Sequence, residues 1–329
     1  METVEMKAYL KWYYGYQNFG DELLFLGLLN YLEKHYDIES LIVETQDTTR
    51  LKSRTDKNRK FLWSIYPKIR YHQIPHSLFS KVKNIFRDKY SKYHKFLWGG
   101  EVLNPERRFP HDGRNLYLWQ HFWTKSHTNN YTLLGWIGAI QKRLDVKLYH
   151  KLLPHASQII LRDPYSYHIV KNFLSQNKYP IDDKSVVLYE DFSTSILQES
   201  KKLFQKHSHP KSQSAPYILI NLNTQSFTSQ YIDKIKTYRQ EYPDCQAIFF
   251  PCDMHDDALL FEQIKQHIPK IKYYDWTKHS LADTLSLFYY ATAGIGARLH
   301  FLYPLKYFDK VFEAIPYKDK VKKLITQDI

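Results

Sequence analysis

Apolar runs recur along the chain with amphipathic stretches between them, an alternation typical of a parallel β-sheet with crossover helices. In the first part of the chain, the apolar runs predict strands at 6–14, 40–44, 70–74, 95–99, 131–135, 158–162 and 186–189. Helices are predicted in the same part at 20–35, 140–153 and 164–176. The first helix has a clear start, because Asp21 and Glu22 stand where acidic residues favour a helix N-terminus.

A polar stretch at 206–216 interrupts this pattern, and its proline-bounded composition is typical of a linker. A strong strand at 217–222 then restarts the alternation. Further strands are predicted at 246–250, 270–274, 291–295 and 310–314, and helices at 227–241, 256–268 and 280–290. With 329 residues the chain is long enough for two domains. We therefore predict an α/β fold with two Rossmann-like, doubly wound domains, 1–205 and 217–329, facing across a cleft.

The composition narrows the class of protein. Apolar residues make up 43% of the chain, which supports buried cores rather than disorder. No apolar run approaches the ~20 residues that span a bilayer, and the acidic start Met1–Glu5 does not resemble a signal peptide. Two cysteines are too few for a disulfide framework. These features predict a cytoplasmic protein.

The chain carries a formal net charge of +13, with 47 lysines and arginines against 34 acidic residues. Nucleic-acid binding is not expected, because the charges are scattered and no recognition helix or aromatic nucleic-acid motif stands out. The charge is explained equally well by attraction to an anionic substrate or by peripheral contact with the anionic inner face of the membrane. A basic, solvated surface with no partner is the third interpretation.

Two clusters of polar and glycine residues carry candidate chemistry. In Gly296–His300, Arg298 offers a cationic fork for a carboxylate or phosphate, and His300 offers a proton near neutral pH. In Gly15–Glu22, two glycines five residues apart precede a helix, so the segment is either a tight turn or a close approach to an anionic ligand. The two clusters lie near opposite ends of the chain, and together they predict one enzyme site.

Three further segments have alternative interpretations. Gly99 and Gly100 follow a predicted strand and form either a turn or a ligand contact, and Arg162 with Asp163 forms either an ion pair at a strand end or an anion site. The stretch 252–257 resembles a metal site at first sight, but a helix-capping or substrate-contact loop is the favoured interpretation. Dense aromatic residues at 117–123 suit a sugar-stacking platform, core packing or a membrane interface.

Taken in chain order, these segments resemble a known family. The matching pieces are Tyr14–Glu22, Trp98–Glu101, Leu161–Ser166, Gly296–His300 and Ile315–Val321. In this order and spacing the chain resembles the polysaccharide pyruvyl transferases over nearly its whole length. The resemblance implies a GT-B-like fold, with the N-terminal domain on the acceptor side and the C-terminal domain on the donor side.

The family resemblance also implies a reaction. A pyruvyl group passes from phosphoenolpyruvate to two hydroxyls of a sugar in a cell-surface glycan precursor, often lipid-linked, giving a pyruvate ketal and phosphate without a cofactor or metal. Arg298 and Arg162 are the implied donor-binding arginines, and His300 is the implied general acid. Asp21 is the candidate base, with Glu22 as the alternative. The remaining implied substrate contacts are Asn18, Gly20, Glu22, Gly99, Gly100 and Glu101.

Two other functions are retained as alternatives. A GT-B glycosyltransferase using a sugar nucleotide would need a carboxylate contact to the ribose, which the Arg298–His300 segment does not supply. A non-catalytic glycan-binding or scaffold protein is suggested by two departures from the family pattern. Glu101 stands where the family often has a third glycine, and Gly135–Ala139 replaces its Gly-Ile-Gly-Pro element.

Overall fold

The chain forms two parallel β-sheets with connecting helices, which confirms the predicted α/β class. In the computed structural model each described pairing between strands is parallel, apart from one isolated bridge. The structure describes residues 5–11, 17–45, 47–61, 65–73, 92–103, 131–137, 149–150, 152–179, 185–206, 215–316 and 321.

The first sheet has the strand order β3-β2-β1-β4-β5-β6-β7 among the described residues. Its strands are β1 Met6–Lys11, β2 Ile38–Thr45, β3 Ile69–Gln73, β4 His94–Leu103, β5 Tyr131–Ile137, β6 Gln158–Leu161 and β7 Val186–Leu188. The helices of this part are α1 Phe19–His35, α2 Thr48–Lys57 and α3 Pro164–Gln176. Central strands such as β1 are buried on both faces, because helices cover both sides of a parallel sheet. Tyr9 and Leu10, which lie on opposite faces of β1, are 6% and 0% exposed.

The second sheet has the order β10-β9-β8-β11-β12. Its strands are β8 Tyr217–Asn221, β9 Gln246–Phe249, β10 Lys272–Tyr273, β11 Ala293–Gly296 and β12 Val311–Ala314. Its helices are α4 Ser193–Lys206, α5 Ser229–Gln240, α6 Phe261–His267, α7 Leu281–Tyr290 and α8 Leu299–Tyr307. The chain order reverses between β8 and β11, and a crevice outside the carboxyl ends of strands at such a switch point is where α/β proteins bind ligands.

Each predicted strand has a counterpart in one of the two sheets, whereas three of the described helices were not predicted. These are α2, α4 and α8. The sequence does not predict α8 because Pro304 lies inside it, and a proline normally breaks a helix. The strand β4 continues to Leu103, past the predicted end at 99. Most of the predicted helix 140–153, the end of the predicted strand 6–14 and most of the linker 206–216 lie outside the described residues.

The compact units are interleaved along the chain rather than continuous. The second unit contains Ser193–Ile329 together with the described parts of Tyr16–Gly27 and Arg54–Phe61, and the first unit contains the rest. The prediction places the domains at 1–205 and 217–329. The physical reason for the interleaving is that α1 begins, and α2 ends, in contact with the second sheet and its loops, as the contacts below describe.

Candidate functional site

The start of α1 is closed by its own cap. The side-chain oxygen of Asn18 accepts hydrogen bonds from the amides of Gly20 at 2.9 Å and Asp21 at 3.3 Å. The Glu22 amide donates to the Asn18 carbonyl at 3.1 Å, and the Phe19 amide donates to the Cys252 carbonyl at 2.6 Å. The amides expected to face an anion are therefore satisfied within the protein.

The loop 252–257 is fastened to this cap. Asn18 and Asp253 form an isolated antiparallel bridge, and the Met254 amide donates to the Gln17 carbonyl at 3.1 Å. The Asn18 side-chain amide also donates to the Asp253 carboxylate at 3.2 Å. The loop thus joins α1 to the carboxyl end of β9. Within the described ranges, no three His, Cys, Asp or Glu side chains cluster in a way that would hold a metal ion.

His300 packs directly on the backbone of Gly20. A β-carbon added at Gly20 would lie 2.8 Å from His300 Cγ and 3.1 Å from its Cβ, and closer still to Nδ1. Any side chain at this position would require the imidazole to move. His300 lies in the first turn of α8 and is partly buried. The two glycine-containing clusters of the sequence therefore meet in space, as the analysis of the sequence predicts.

Arg298 is held by two carboxylates. Its Nε donates to Asp257 Oδ1 at 3.0 Å, and its Nη2 donates to Asp257 Oδ1 and to Asp256 Oδ2, each at 2.5 Å. The sequence predicts an Arg298 guanidinium that is available to bind a substrate anion. In the structure, the edge of the guanidinium that carries Nε and Nη2 is bound to Asp257. The reason is that Asp257 is fully buried, and a buried carboxylate needs a cation.

Asp257 is the centre of a buried polar network. Its Oδ2 accepts hydrogen bonds from the Asn221 side chain at 3.1 Å and from the amides of Cys252 at 2.9 Å and Asp253 at 3.2 Å. Burial raises the pKa of the Asp257 carboxyl, while its bonds to Arg298 and Asn221 oppose the rise. Burial, followed by the nearby Asp257 charge, raises the pKa of the Cys252 thiol, so Cys252 stays protonated at neutral pH.

The two acids proposed as bases have different surroundings. Glu22 is 4% exposed, and its carboxylate lies 3.4 Å from Nε of Arg54. Asp21 is only partly buried, in the same turn as Gly20. Neither Arg54 nor the pairing of Asp257 with Arg298 is predicted from the sequence. Arg54 lies in a stretch rich in lysine and arginine where nothing distinguishes it from its neighbours.

Arg162 lies in the first unit, after β6. Its Nη1 donates to Asp191 Oδ2 at 3.1 Å, and the side chains are 11% and 17% exposed respectively. Asp163 does not pair with it but caps α3, accepting from the Ser166 amide at 2.9 Å and the Ser166 hydroxyl at 2.7 Å. The strand-end arginine therefore has a carboxylate partner from after β7, not from its neighbour in sequence.

The remaining predicted contacts belong to the first sheet. Gly99, Gly100 and Glu101 are part of β4, which pairs with β5 through Gly99 and Gly135 and shows an irregular register from there to Leu103. The aromatic stretch 117–123 and the beginning of the Gly15–Glu22 segment lie outside the described residues.

Comparison with known families gives a match over most of the chain. The family model described as polysaccharide pyruvyl transferase matches residues 18–302. This range contains the Asn18 cap, Arg162, Arg298 and His300. No curated protein matches the chain at a significant level.

Solved structures match the fold at low sequence identity. The UDP-GlcNAc 2-epimerase from Neisseria meningitidis, bound to UDP-GlcNAc, is 10% identical with a TM-score of 0.60, covering 97% of this chain and 84% of that chain. The UDP-GlcNAc 2-epimerase from Methanocaldococcus jannaschii is 11% identical with a TM-score of 0.57, covering 98% and 87%. The UDP-N-acetylglucosamine 2-epimerase from Rickettsia bellii is 9% identical with a TM-score of 0.57, covering 94% of this chain and 78% of that chain. These likenesses confirm the predicted GT-B-like fold.

Proposed function

Because the chain belongs to the polysaccharide pyruvyl transferase family, we propose that it transfers a pyruvyl group from phosphoenolpyruvate to two hydroxyls of a sugar. The observation that supports this proposal best is the contact between His300 and Gly20. It places the imidazole of His300, a side-chain type that serves as a general acid, against Gly20 in the first turn of α1, and Asp21 is the next residue of that turn. The family match includes both of these segments.

The proposed reaction needs one proton donor and no cofactor. A proton adds to the methylene carbon of phosphoenolpyruvate, and a sugar oxygen bonds to the adjacent carbon while its own proton leaves to a base. The bond from that carbon to the phosphate oxygen then breaks, and the second hydroxyl attacks and loses its proton, closing the ketal ring. We assign the first proton to His300, because imidazole is the side chain whose proton exchange lies closest to neutral pH.

We assign Arg298 mainly a positioning role. Asp257 and Asp256 hold its guanidinium, so the positive charge that it offers to a trianionic donor is reduced. The same contacts fix the start of α8 and therefore the place of His300, two residues further along. Arg162 is the proposed second cation for the donor. Asp21 is the proposed base, because Glu22 is buried against Arg54.

The acceptor is proposed to be a lipid-linked glycan precursor. Such a precursor would lie at an anionic membrane surface, and the formal net charge of +13 favours contact with that surface. In the part of the chain that the structure describes, no helix has the length and apolarity needed to cross a bilayer.

A second candidate function is glycosyl transfer from a sugar nucleotide. The fold favours it, because the similar epimerase from Neisseria meningitidis is bound to UDP-GlcNAc. Calorimetry with phosphoenolpyruvate and with UDP-GlcNAc separates the two candidates. Binding of the nucleotide sugar without binding of phosphoenolpyruvate would replace the pyruvyl transfer proposal.

The direct test is turnover. The purified protein is incubated with phosphoenolpyruvate and a panel of lipid-linked and nitrophenyl sugars, and phosphate release and the mass of the ketal are measured. We expect His300→Ala to lower kcat by about 10²–10⁴-fold, the usual contribution of a general acid. His267→Ala is the matched control, since His267 is exposed at the end of α6 in the same unit. Equal activity of the two variants would remove His300 from the mechanism.

Gly20→Ala tests the contact itself. The new methyl group would displace the His300 ring, and we expect kcat to fall by about 10–100-fold because the acid is misplaced. Gly294→Ala is the control for overcrowding alone, because its methyl group would meet the Leu305 side chain in the core of the same unit. If both variants lose activity only in proportion to their loss of stability, the packing of His300 on Gly20 does not contribute to catalysis.

A further inference from the structure

Arg54 is a buried arginine that the mechanism above does not use. It lies near the end of α2, its side chain is 7% exposed, and its guanidinium carbon stands 5.1 Å from the centre of the Trp276 ring. Its Nη1 donates to the carbonyl oxygens of Thr277 at 3.3 Å and His279 at 2.9 Å. The planar guanidinium therefore contacts an aromatic face and a loop backbone at the same time.

The same guanidinium also faces the first turns of α1. Its Nε lies 3.4 Å from the carboxylate of Glu22, whose side chain is 5% exposed. A buried ion pair of this kind is costly to break, because removing either partner leaves the other charged and out of water. Because both side chains are buried, we expect Arg54 to act through its neighbours rather than on a substrate.

Trp276 connects Arg54 to the first residue of α1. The Trp276 ring lies 5.7 Å from the ring of Phe19, and its indole N–H donates to the Pro251 carbonyl at 2.8 Å. Phe19 is also stacked on Phe288, with ring centres 5.6 Å apart. The helix start is thus held from two sides, by Trp276 on Phe19 and by Arg54 on Glu22.

We propose that Arg54 is a positioning residue for the site, acting through Glu22 and Trp276. It fixes the first turns of α1, so that Gly20 keeps its close contact with the His300 ring. Asn58, one turn further along the chain, supports the arrangement by accepting from the Leu281 amide at 2.7 Å. The catalytic part of this inference rests on the proposed function, whereas the placement of His300 does not.

The test uses two Arg54 variants and a control on the same helix. Arg54→Gln removes the cation, and Arg54→Lys keeps a cation near Glu22 but loses the planar group that also contacts Trp276 and two carbonyls. Arg50→Gln is the control, because Arg50 is exposed and pairs only weakly with Asp47, at 3.9 Å. The readouts are the NMR signal of the His300 ring, assigned by its loss in His300→Ala, and the steady-state kcat and KM for phosphoenolpyruvate.

We expect both Arg54 variants to shift the His300 signal and to lower kcat by about 10–100-fold, with KM changed less than about threefold. The Arg50 variant should match the wild type. Should Arg54→Gln fail to fold, Arg54→Lys decides the question. A wild-type His300 signal in folded Arg54→Lys would overturn the proposal. If the wild type turns over no phosphoenolpyruvate, the pyruvyl transfer proposal fails, while the His300 signal still decides the role of Arg54.

Discussion

Arg162 and Arg298 each follow a parallel strand, yet their surroundings differ. Arg298 is bound by two carboxylates, one of which is fully buried and accepts three more hydrogen bonds. Arg162 has an ion pair with Asp191, whose side chain is 17% exposed, while Arg162 itself is less exposed, at 11%, than Arg298, at 22%. We expect the burial of the facing carboxylate, rather than the strand-end position that the two arginines share, to set the cost of losing each ion pair, because a buried charge depends strongly on its partner.

The same contrast separates two kinds of role. Arg298 connects the ends of β8, β9 and β11. Its backbone amide donates to the Asn221 side chain, and its guanidinium donates to the carboxylates of Asp256 and Asp257. Removing it would disturb three loops at once. Arg162 joins the ends of β6 and β7 through its ion pair with Asp191. We therefore expect Arg298 to matter more for stability and Arg162 more for donor affinity.

The largest effect should come from Asp257→Ala. It removes the buried carboxylate that accepts from Arg298, from the Asn221 side chain and from two backbone amides. We expect a loss of about 3–5 kcal/mol in the free energy of unfolding, measured by urea titration. Asp256→Ala is the control, because its side chain is 34% exposed and should cost about 1 kcal/mol or less. A loss below about 1 kcal/mol for Asp257→Ala would mean that burial does not separate the two arginines.

A smaller effect is expected for Asp191→Ala. The ion pair with Arg162 is partly exposed, so its loss should cost about 1–2 kcal/mol in the same titration. Asp163→Ala tests the neighbouring cap instead, and should cost about 0.5–2 kcal/mol without changing the affinity for phosphoenolpyruvate. If Asp191→Ala costs as much as Asp257→Ala, the comparison between the two arginines is wrong.

The smallest effect on stability is expected for Glu190, the residue before Asp191 in the sequence. Burial, followed by the Asp191 charge, raises the pKa of Glu190, and Lys34 opposes the rise. A raised carboxyl pKa means stability that is present below the ordinary glutamate range and is lost as pH rises through the folded-state value. Glu190→Gln should therefore be slightly more stable than the wild type at pH 7, with the difference vanishing near pH 4. Thermal unfolding at the two pH values measures this, and a gain at pH 4 would contradict it.

The strands were predictable because buried parallel strands are short apolar runs, as in β8 and β11. The helices α2 and α8 could not be predicted, for two different local reasons. The sequence of α2 has few apolar residues, and Pro304 lies inside α8, where a proline normally breaks a helix. In α8 the proline is tolerated within the second turn, and the Phe308 amide donates to its carbonyl at 3.0 Å.

The site was predictable only in part. The meeting of the 18–22 and 296–300 segments was expected, because both follow strands of a sheet-based fold and share one family pattern. The partners of the charged side chains could not be read from the sequence. Arg298 pairs with a carboxylate 41 positions away, and Arg54 contacts a carbonyl 225 positions away. Such pairs depend on three-dimensional packing, which local periodicity does not record.

The contact between Asn18 and Asp253 has a consequence for synthesis on the ribosome. Its two partners are 235 positions apart, so at about 5–20 residues per second the second emerges roughly 10–50 s after the first. Phe19 is fully buried in the finished structure, and its ring contacts are with Phe250, Trp276 and Phe288. The start of α1 therefore cannot take up its final contacts until these later segments have left the ribosome.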